Sequence, residues 1–113
     1  MRRSLALLFL VATTGCDKNI AGGSTDGAAV FAAACAACHG PGGAPSAAMA
    51  AALGVRDLTS SAFKVRATPA LVMAQVRNGS SNHKMPSFAE ALTEPQIAAV
   101  ANYVLTLPAA PPR

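Results

Sequence analysis

Apolar positions recur at helical spacing in the second half of this chain. Two sets show the pattern: Leu71, Val72 and Val76, with the polar Gln75 at the same spacing, and then Ile97, Val100, Ala101, Val104 and Leu107. Residues three and four apart share one face of an α-helix, so each set predicts a helix with one buried face. No stretch alternates apolar and polar residues as a half-buried strand would. The pattern therefore predicts an all-α protein.

The first predicted helix precedes these two and is rich in alanine. It extends from about Asp26 to Cys38, with Asp26 as N-cap, and the glycines and proline of 40–43 end it. Residues 45–61 follow as a loop, with one short helical turn expected over 47–53. The domain is thus expected to have three main helices, short turns and long loops.

Turn and capping residues mark the ends of the other two helices. Thr68 is the expected N-cap of the middle helix, with Pro69 in its first turn, and Asn78-Gly79 ends it. The segment from Thr93 to Gln96 has the form of a capping box at the start of the last helix, which Pro108 ends. Residues 108–113 are expected to be a disordered tail.

The first 15 residues have the features of a secretory signal peptide. A basic start is followed by an apolar run over 5–12, too short to span a bilayer, and then by small residues. Gly15-Cys16 resembles the lipobox of bacterial lipoproteins, although Thr13 stands where that family usually has Leu. We expect lipid attachment at Cys16, and a flexible tether over 16–25 that is rich in Gly, Ser and Thr. The alternative is an ordinary signal peptide with Cys16 as an unused thiol.

The charge of the chain does not indicate a nucleic-acid partner. Nine Lys and Arg residues stand against five Asp and Glu, a formal net charge of +4, and two of the nine lie in the signal peptide. The others are scattered, and one Tyr and no Trp leave little to stack on bases. Nucleic-acid binding is therefore not expected.

The segment Cys35-Ala36-Ala37-Cys38-His39 has the form of an attachment site for a c-type haem. On a helix, positions i, i+3 and i+4 lie on the same face, so the two thiols and the imidazole can all bind one group. The thiols would form thioether bonds to the porphyrin, and His39 would bind its iron. A thiol–disulfide oxidoreductase is the alternative, but that chemistry usually lies at a helix N-terminus, whereas this motif ends a helix.

From about residue 26 to residue 107 the chain resembles the class I cytochromes c. The attachment motif lies near the N-terminus as in that family, and Met85-Pro86-x-Phe88 lies in a downstream loop. The resemblance implies a small cytochrome c domain over 26–107, wrapped around one covalent haem c. It also implies that the first and last helices cross, with Gly27 and Phe31 against Val100 and Tyr103.

The same resemblance implies a set of haem contacts. Met85 would be the second axial ligand beside His39, with His83 as a competitor and Lys84 as a pH-dependent one. A proline carbonyl would hold the proximal imidazole, either Pro41 or Pro45, of which we favour Pro45. The family's propionate-binding Trp is absent. Arg56 is our working assignment for that role, and Thr59, Ser60 and Ser61 remain alternatives.

With both axial positions filled, the resemblance implies an electron carrier rather than an enzyme. The protein would be exported to the periplasmic face of the cell envelope, anchored to the membrane through Cys16, and would exchange electrons with redox proteins. The alternative is a haem enzyme or a gas or peroxide sensor, in which Met85 dissociates and opens the sixth position.

Overall fold

The computed structural model describes residues 19–111, and that part of the chain is helical with no strand. Six helices follow one another: α1 Gly27–Ala34, α2 Ala36–His39, α3 Ala47–Leu53, α4 Ser61–Lys64, α5 Pro69–Asn78 and α6 Glu94–Thr106. The all-α prediction is confirmed, as are the ends predicted for α5 and α6. The short helix α4 was not predicted.

Local capping explains where most of these helices begin. The predicted N-cap side chains of Asp26, Thr68 and Thr93 each accept a hydrogen bond from a main-chain N–H in the first turn of their helix. Ser46 and Ser60 do the same for α3 and α4. The capping box of α6 is complete, because the Gln96 side chain accepts from the Thr93 N–H at 3.0 Å.

Helices α1 and α6 pack against each other at a very close crossing. A β carbon on Gly27 would lie 2.4 Å from the Ala99 carbonyl oxygen and 2.6 Å from the Tyr103 Cβ. One turn further along α1, the rings of Phe31 and Tyr103 lie 5.5 Å apart at an interplanar angle of 54°. The contact expected between the first and last helices is therefore present, and it depends on the absence of a side chain at Gly27.

The core lies between α1, α5 and α6. Val30 and Phe31 from α1 pack with Val76 from α5, and α6 contributes most of the remainder: Ile97, Val100, Ala101 and Val104. The loops add Leu58, Leu92 and Leu107, so the core extends beyond the helices. Among the described residues no helix is both long and apolar enough to cross a membrane.

The first predicted helix is divided in two. Cys35 leaves helical geometry at φ −121° and separates α1 from α2, so the continuous helix predicted over 26–38 is wrong. The hydrogen bonds continue through the break, since the N–H groups of Cys38 and His39 both donate to the Cys35 carbonyl. Alanine-rich composition predicted helix on both sides but carried no sign of the bend.

The segment 19–25 is docked rather than free, which corrects the flexible tether predicted there. The Ile20 N–H donates to the Ala91 carbonyl at 3.2 Å. The buried Gln96 side chain donates to the carbonyls of Gly22 and Ser24 at 3.0 and 2.8 Å. A polar segment without apolar periodicity is predicted to be flexible, because the sequence does not show that a distant side chain forms hydrogen bonds with its main chain. Residues 16–18, including Cys16, lie outside the described part.

The C-terminal segment is also less free than predicted. The Ala110 N–H donates to the Thr59 carbonyl at 2.8 Å, so residues 108–110 follow the domain surface. Lys64 supports the same region, because its ammonium group donates to the carbonyl of Leu107 at the end of α6.

Candidate haem site

The attachment motif occupies the bend between α1 and α2. Cys35 lies at the junction, and α2 carries Cys38 and His39. All three residues line one cavity, as the i, i+3, i+4 spacing predicted. Both cysteines are half-buried and unbridged. The motif thus presents two thiols and one imidazole to a common space.

That cavity has a volume of about 530 Å³, within the range typical of cavities that hold a cofactor. Its apolar lining comes from α1, α5, α6 and the loops, and includes Phe31, Val72, Val76, Phe88 and Val100. Three cations also line it, Arg56, Arg66 and Lys84, whereas no Asp or Glu of the described residues does. The cavity therefore suits a large apolar group that carries negative charge.

The imidazole of His39 is oriented by the main chain. Its Nδ1 lies 3.0 Å from the carbonyl oxygen of Arg56 and donates to it. Burial lowers the pKa of His39, and the bond to the Arg56 carbonyl opposes that shift. The ring is therefore neutral at pH 7, and with the Nδ1 proton engaged, Nε2 keeps its lone pair for a metal ion.

The assignment of Pro45 as the partner of His39 is wrong, since the structure gives that role to Arg56. The Leu58 N–H donates to the Gly43 carbonyl at 2.9 Å, which lays the segment 54–58 alongside the loop after the motif. This pairing brings the Arg56 carbonyl to the imidazole, whereas Pro45 is absent from the cavity lining. A main-chain acceptor has no side-chain signature, so the sequence offered no signal for it.

The Cys35 thiol is not activated. Burial, with a smaller contribution from the neighbouring Cys38, raises its pKa to about 11. A thiol–disulfide oxidoreductase needs a lowered thiol pKa so that the thiolate can attack. The environment of Cys35 therefore disfavours that alternative.

Met85 is held by a loop that closes on itself. The Ser80 N–H donates to the Met85 carbonyl, and the Met85 N–H donates to the Ser80 Oγ, each at 2.9 Å. Gly79 makes this closure possible, because at its φ of +73° a β carbon would lie 2.6 Å from the Met85 carbonyl oxygen. Met85 is half-buried, packs against the core and lines the cavity.

The two competitors of Met85 are placed differently from each other. His83 is exposed, has a positive φ of 60°, and is not among the residues that line the cavity. Lys84 lines the cavity, although it too is exposed. The loop thus brings Met85 and Lys84 to the site and leaves His83 outside it.

The arrangement fits a c-type haem. It has two thiols for covalent attachment, a neutral imidazole with a free Nε2, a thioether, and an apolar cavity of suitable size. Four further residues with polar side chains line the cavity and were not predicted as site residues: Arg66, Gln75, Ser80 and Asn82. Arg66 lies two residues after Lys64 in the segment ahead of α5, so its charge alone did not mark it as a cavity residue.

Comparisons with known proteins find similarity to c-type cytochromes. The family model described as cytochrome c oxidase, cbb3-type, subunit III matches residues 23–104. A cytochrome c6 from Rippkaea orientalis (strain PCC 8801 / RF-1) is 38% identical over 109 residues, which cover 93% of each chain. The solved structure of the KustC0563 c-type cytochrome has the same fold, with a TM-score of 0.66. That likeness has 24% identity and covers 74% of this chain and 98% of the other.

Proposed function

Because this chain belongs to the cytochrome c family, whose members transfer electrons with a covalently bound haem, we propose that His39 and Met85 are the axial ligands of its iron. One covalent haem c supplies a one-electron couple between Fe(III) and Fe(II). The protein is an electron carrier and not an enzyme. The contribution of the chain is to attach, orient and shield that group.

Cys35 and Cys38 would attach the haem covalently. The two side chains lie one helical turn apart at the bend between α1 and α2, and both line the cavity. A raised thiol pKa keeps Cys35 protonated at neutral pH, so this thiol is a poor nucleophile for disulfide exchange before the haem is attached. Covalent bonds then retain the haem outside the cytoplasm, where free haem would be lost by dilution.

The axial pair is supported by one observation above the others. His39 and Met85 line the same cavity although they stand 46 positions apart in the chain. The Arg56 carbonyl holds the His39 imidazole, and hydrogen bonds with Ser80 hold the main chain of Met85. A thioether favours the reduced iron, so a His/Met pair gives a higher potential than two imidazoles. With both positions filled, no site is left for oxygen or substrate.

Arg56 and Arg66 are proposed to bind the haem propionates. Both line the cavity, and guanidinium groups pair well with carboxylates. The alternatives Thr59 and Ser60 are occupied elsewhere, because their hydroxyls donate to Asp57. Ser61 is exposed and does not line the cavity.

Spectra of the mature protein and two variants test the axial pair. The wild type should show covalent haem, a six-coordinate iron in both redox states, and the weak near-infrared sulfur–iron band when oxidised. Met85→Ala should lose that band and bind CO or cyanide rapidly, since the sixth position opens. His83→Ala, two residues away and outside the cavity, is the matched control and should behave as wild type.

Two outcomes would overturn the axial assignment. If Met85→Ala kept the band and the potential, Met85 would not be the ligand. If His83→Ala changed both, the iron would be bound by two histidines. Rapid CO binding by the wild type would instead support a labile sixth ligand and a sensor.

The c-type cytochromes are exported proteins that exchange electrons with redox partners, and this chain is one of them. We propose in addition that Cys16 carries a lipid that holds the domain at the membrane. Since residues 19–25 are docked on α6, at most about 11 Å of extended chain separates Cys16 from Asn19. The domain would therefore stay at the membrane surface.

The intact mass of the mature protein tests this anchor. A diacylated or triacylated N-terminus at Cys16 should appear in the wild type, and Cys16→Ser should move the protein from the membrane fraction to the soluble periplasmic fraction. The proposal would be contradicted by a mature protein that begins after residue 16, or by a measured mass that includes no acyl chains.

A further inference from the structure

The carbonyl that holds His39 lies on a segment without regular structure. Arg56 stands between α3 and α4, so no helix fixes its main chain. Its oxygen nevertheless lies within hydrogen-bond distance of Nδ1, at 3.0 Å. Other contacts must fix the orientation of the Arg56 carbonyl, because the main chain of an irregular segment would otherwise adopt many conformations.

The turn that follows Arg56 supplies that support. Asp57 Oδ1 accepts from the Thr59 N–H at 2.8 Å and from the Thr59 hydroxyl at 2.5 Å. The Asp57 carbonyl accepts from the Ser60 hydroxyl at 2.9 Å. Such side-chain to main-chain bonds define an Asx turn, which fixes the dihedral angles of residues that no helix controls. The turn begins at the residue directly after Arg56.

The turn is also anchored to the body of the protein. Leu58 and Thr59 are both buried, with 8% and 6% of their surface exposed. The Leu58 N–H donates to the Gly43 carbonyl, and the Thr59 carbonyl accepts from Ala110. The turn therefore has partners on both sides, the loop after the haem motif and the C-terminal segment.

We propose that Asp57 and Thr59 are positioning residues that tune the haem iron through the Arg56 carbonyl and His39. The inference rests on the proposed role of His39 as an iron ligand. A hydrogen bond from Nδ1–H to a carbonyl makes an imidazole a stronger electron donor at Nε2, which favours the oxidised metal. Loosening the turn weakens that bond, so the reduction potential rises.

Thr59→Val tests this with no change of charge and almost none of shape. It removes the hydroxyl that donates to Asp57, and Thr59→Ser restores it. Ser61→Ala, which removes an exposed hydroxyl two residues away, is the matched control. In the mature haem protein, Thr59→Val should raise the midpoint potential and speed solvent exchange of the His39 Nδ1 proton by about fivefold. Thr59→Ser and Ser61→Ala should match the wild type.

Two Asp57 variants distinguish the effect of the turn from the effect of the carboxylate charge. They also provide the test if the Thr59→Val protein fails to acquire its haem. Asp57→Asn keeps an oxygen that can accept from Thr59 and should leave the exchange rate of the Nδ1 proton unchanged. Asp57→Ala removes the acceptor and should raise both the exchange rate and the potential.

The outcomes distinguish this inference from the axial assignment. A wild-type spectrum without a histidine ligand would refute the role of His39 itself. A normal wild-type spectrum, together with an unchanged potential and Nδ1 exchange in Thr59→Val or Asp57→Ala, would refute the inference alone.

Discussion

Gly27 on α1 lies so close to Tyr103 on α6 that a β carbon added to it would be 2.6 Å from the Tyr103 Cβ. Separations below about 3 Å cannot be accommodated without movement of the main chain. The crossing of the two helices, and with it the placement of Phe31 and the attachment motif, depends on this one missing side chain.

Gly27→Ala should therefore destabilise the protein by about 1–3 kcal/mol, the usual cost of overpacking a close contact. The effect outweighs the gain in helix propensity, which is at most about 1 kcal/mol. Gly23→Ala is the matched control, since nothing lies within 4 Å of its added β carbon. Denaturant unfolding of the two variants measures the difference, and equal stability would show that the helices can separate without cost.

Gln96→Leu should release the N-terminal segment from α6. The substitution keeps the size of the side chain but removes the donors to the Gly22 and Ser24 carbonyls, a loss of about 1–3 kcal/mol for a buried group. The amide of Ile20 should then exchange faster with solvent, since it donates within the same docked segment. Asn102→Leu, at an exposed position of α6, is the control. An unchanged Ile20 exchange rate would mean that Gln96 does not hold the segment.

Arg56→Gln and Arg66→Gln should each lower the reduction potential. Both remove a positive charge from the cavity, and a nearby cation favours the less positive, reduced iron. Arg77→Gln removes a charge that does not line the cavity, so its effect on the potential should be smaller. Arg56→Gln keeps the main-chain carbonyl, so exchange of the His39 Nδ1 proton should not change. Potentials of all three variants at one ionic strength provide the test, and equal shifts would argue against propionate binding.

The ion pair of Arg77 and Glu94 should make stability depend on pH. Arg77 Nε and Nη2 donate to the two carboxylate oxygens at 2.9 and 2.7 Å, and the bond from Arg77 lowers the pKa of Glu94. Because the folded pKa is below the unfolded one, the stabilisation is present above the unfolded pKa and is lost as the pH falls through the folded value. The pair is exposed, so the effect is small and screened by salt.

A double-mutant cycle with Glu94→Gln and Arg77→Gln isolates this interaction. The coupling between the two substitutions in thermal unfolding should be present at pH 7 and low salt, and should vanish on acidification or in high salt. Coupling that persists when Glu94 is protonated would show that the carboxylate charge is not its source.

The haem motif shows how far local sequence carries the prediction. Cys35, Cys38 and His39 lie within five consecutive residues, and helical spacing alone places them on one face. Capping residues such as Thr68 and Thr93 likewise act within one turn, so the ends of α5 and α6 were predictable. Both cases depend on interactions between residues that are close in the chain. Such interactions can be predicted from the residue types and their spacing alone.

The partner of His39 shows where such prediction stops. Arg56 acts through its main-chain oxygen, and main-chain groups are the same in every residue. Which carbonyl reaches the imidazole depends on the pairing of Leu58 with Gly43 and on the turn after Arg56. The docked segment at Gln96 is a second example, because its hydrogen bonds join positions more than 70 residues apart.

The sequence by itself determined that the domain is helical, where its later helices begin and end, and that two thiols and an imidazole face one cofactor. Those features follow from side-chain chemistry and helical periodicity over a few residues. Only the tertiary structure decided that Arg56 rather than Pro45 orients His39, that Met85 and not His83 lines the cavity, and that residues 19–25 lie against α6. Each of these depends on main-chain groups brought together from distant parts of the chain, and their positions are set by packing of the whole domain.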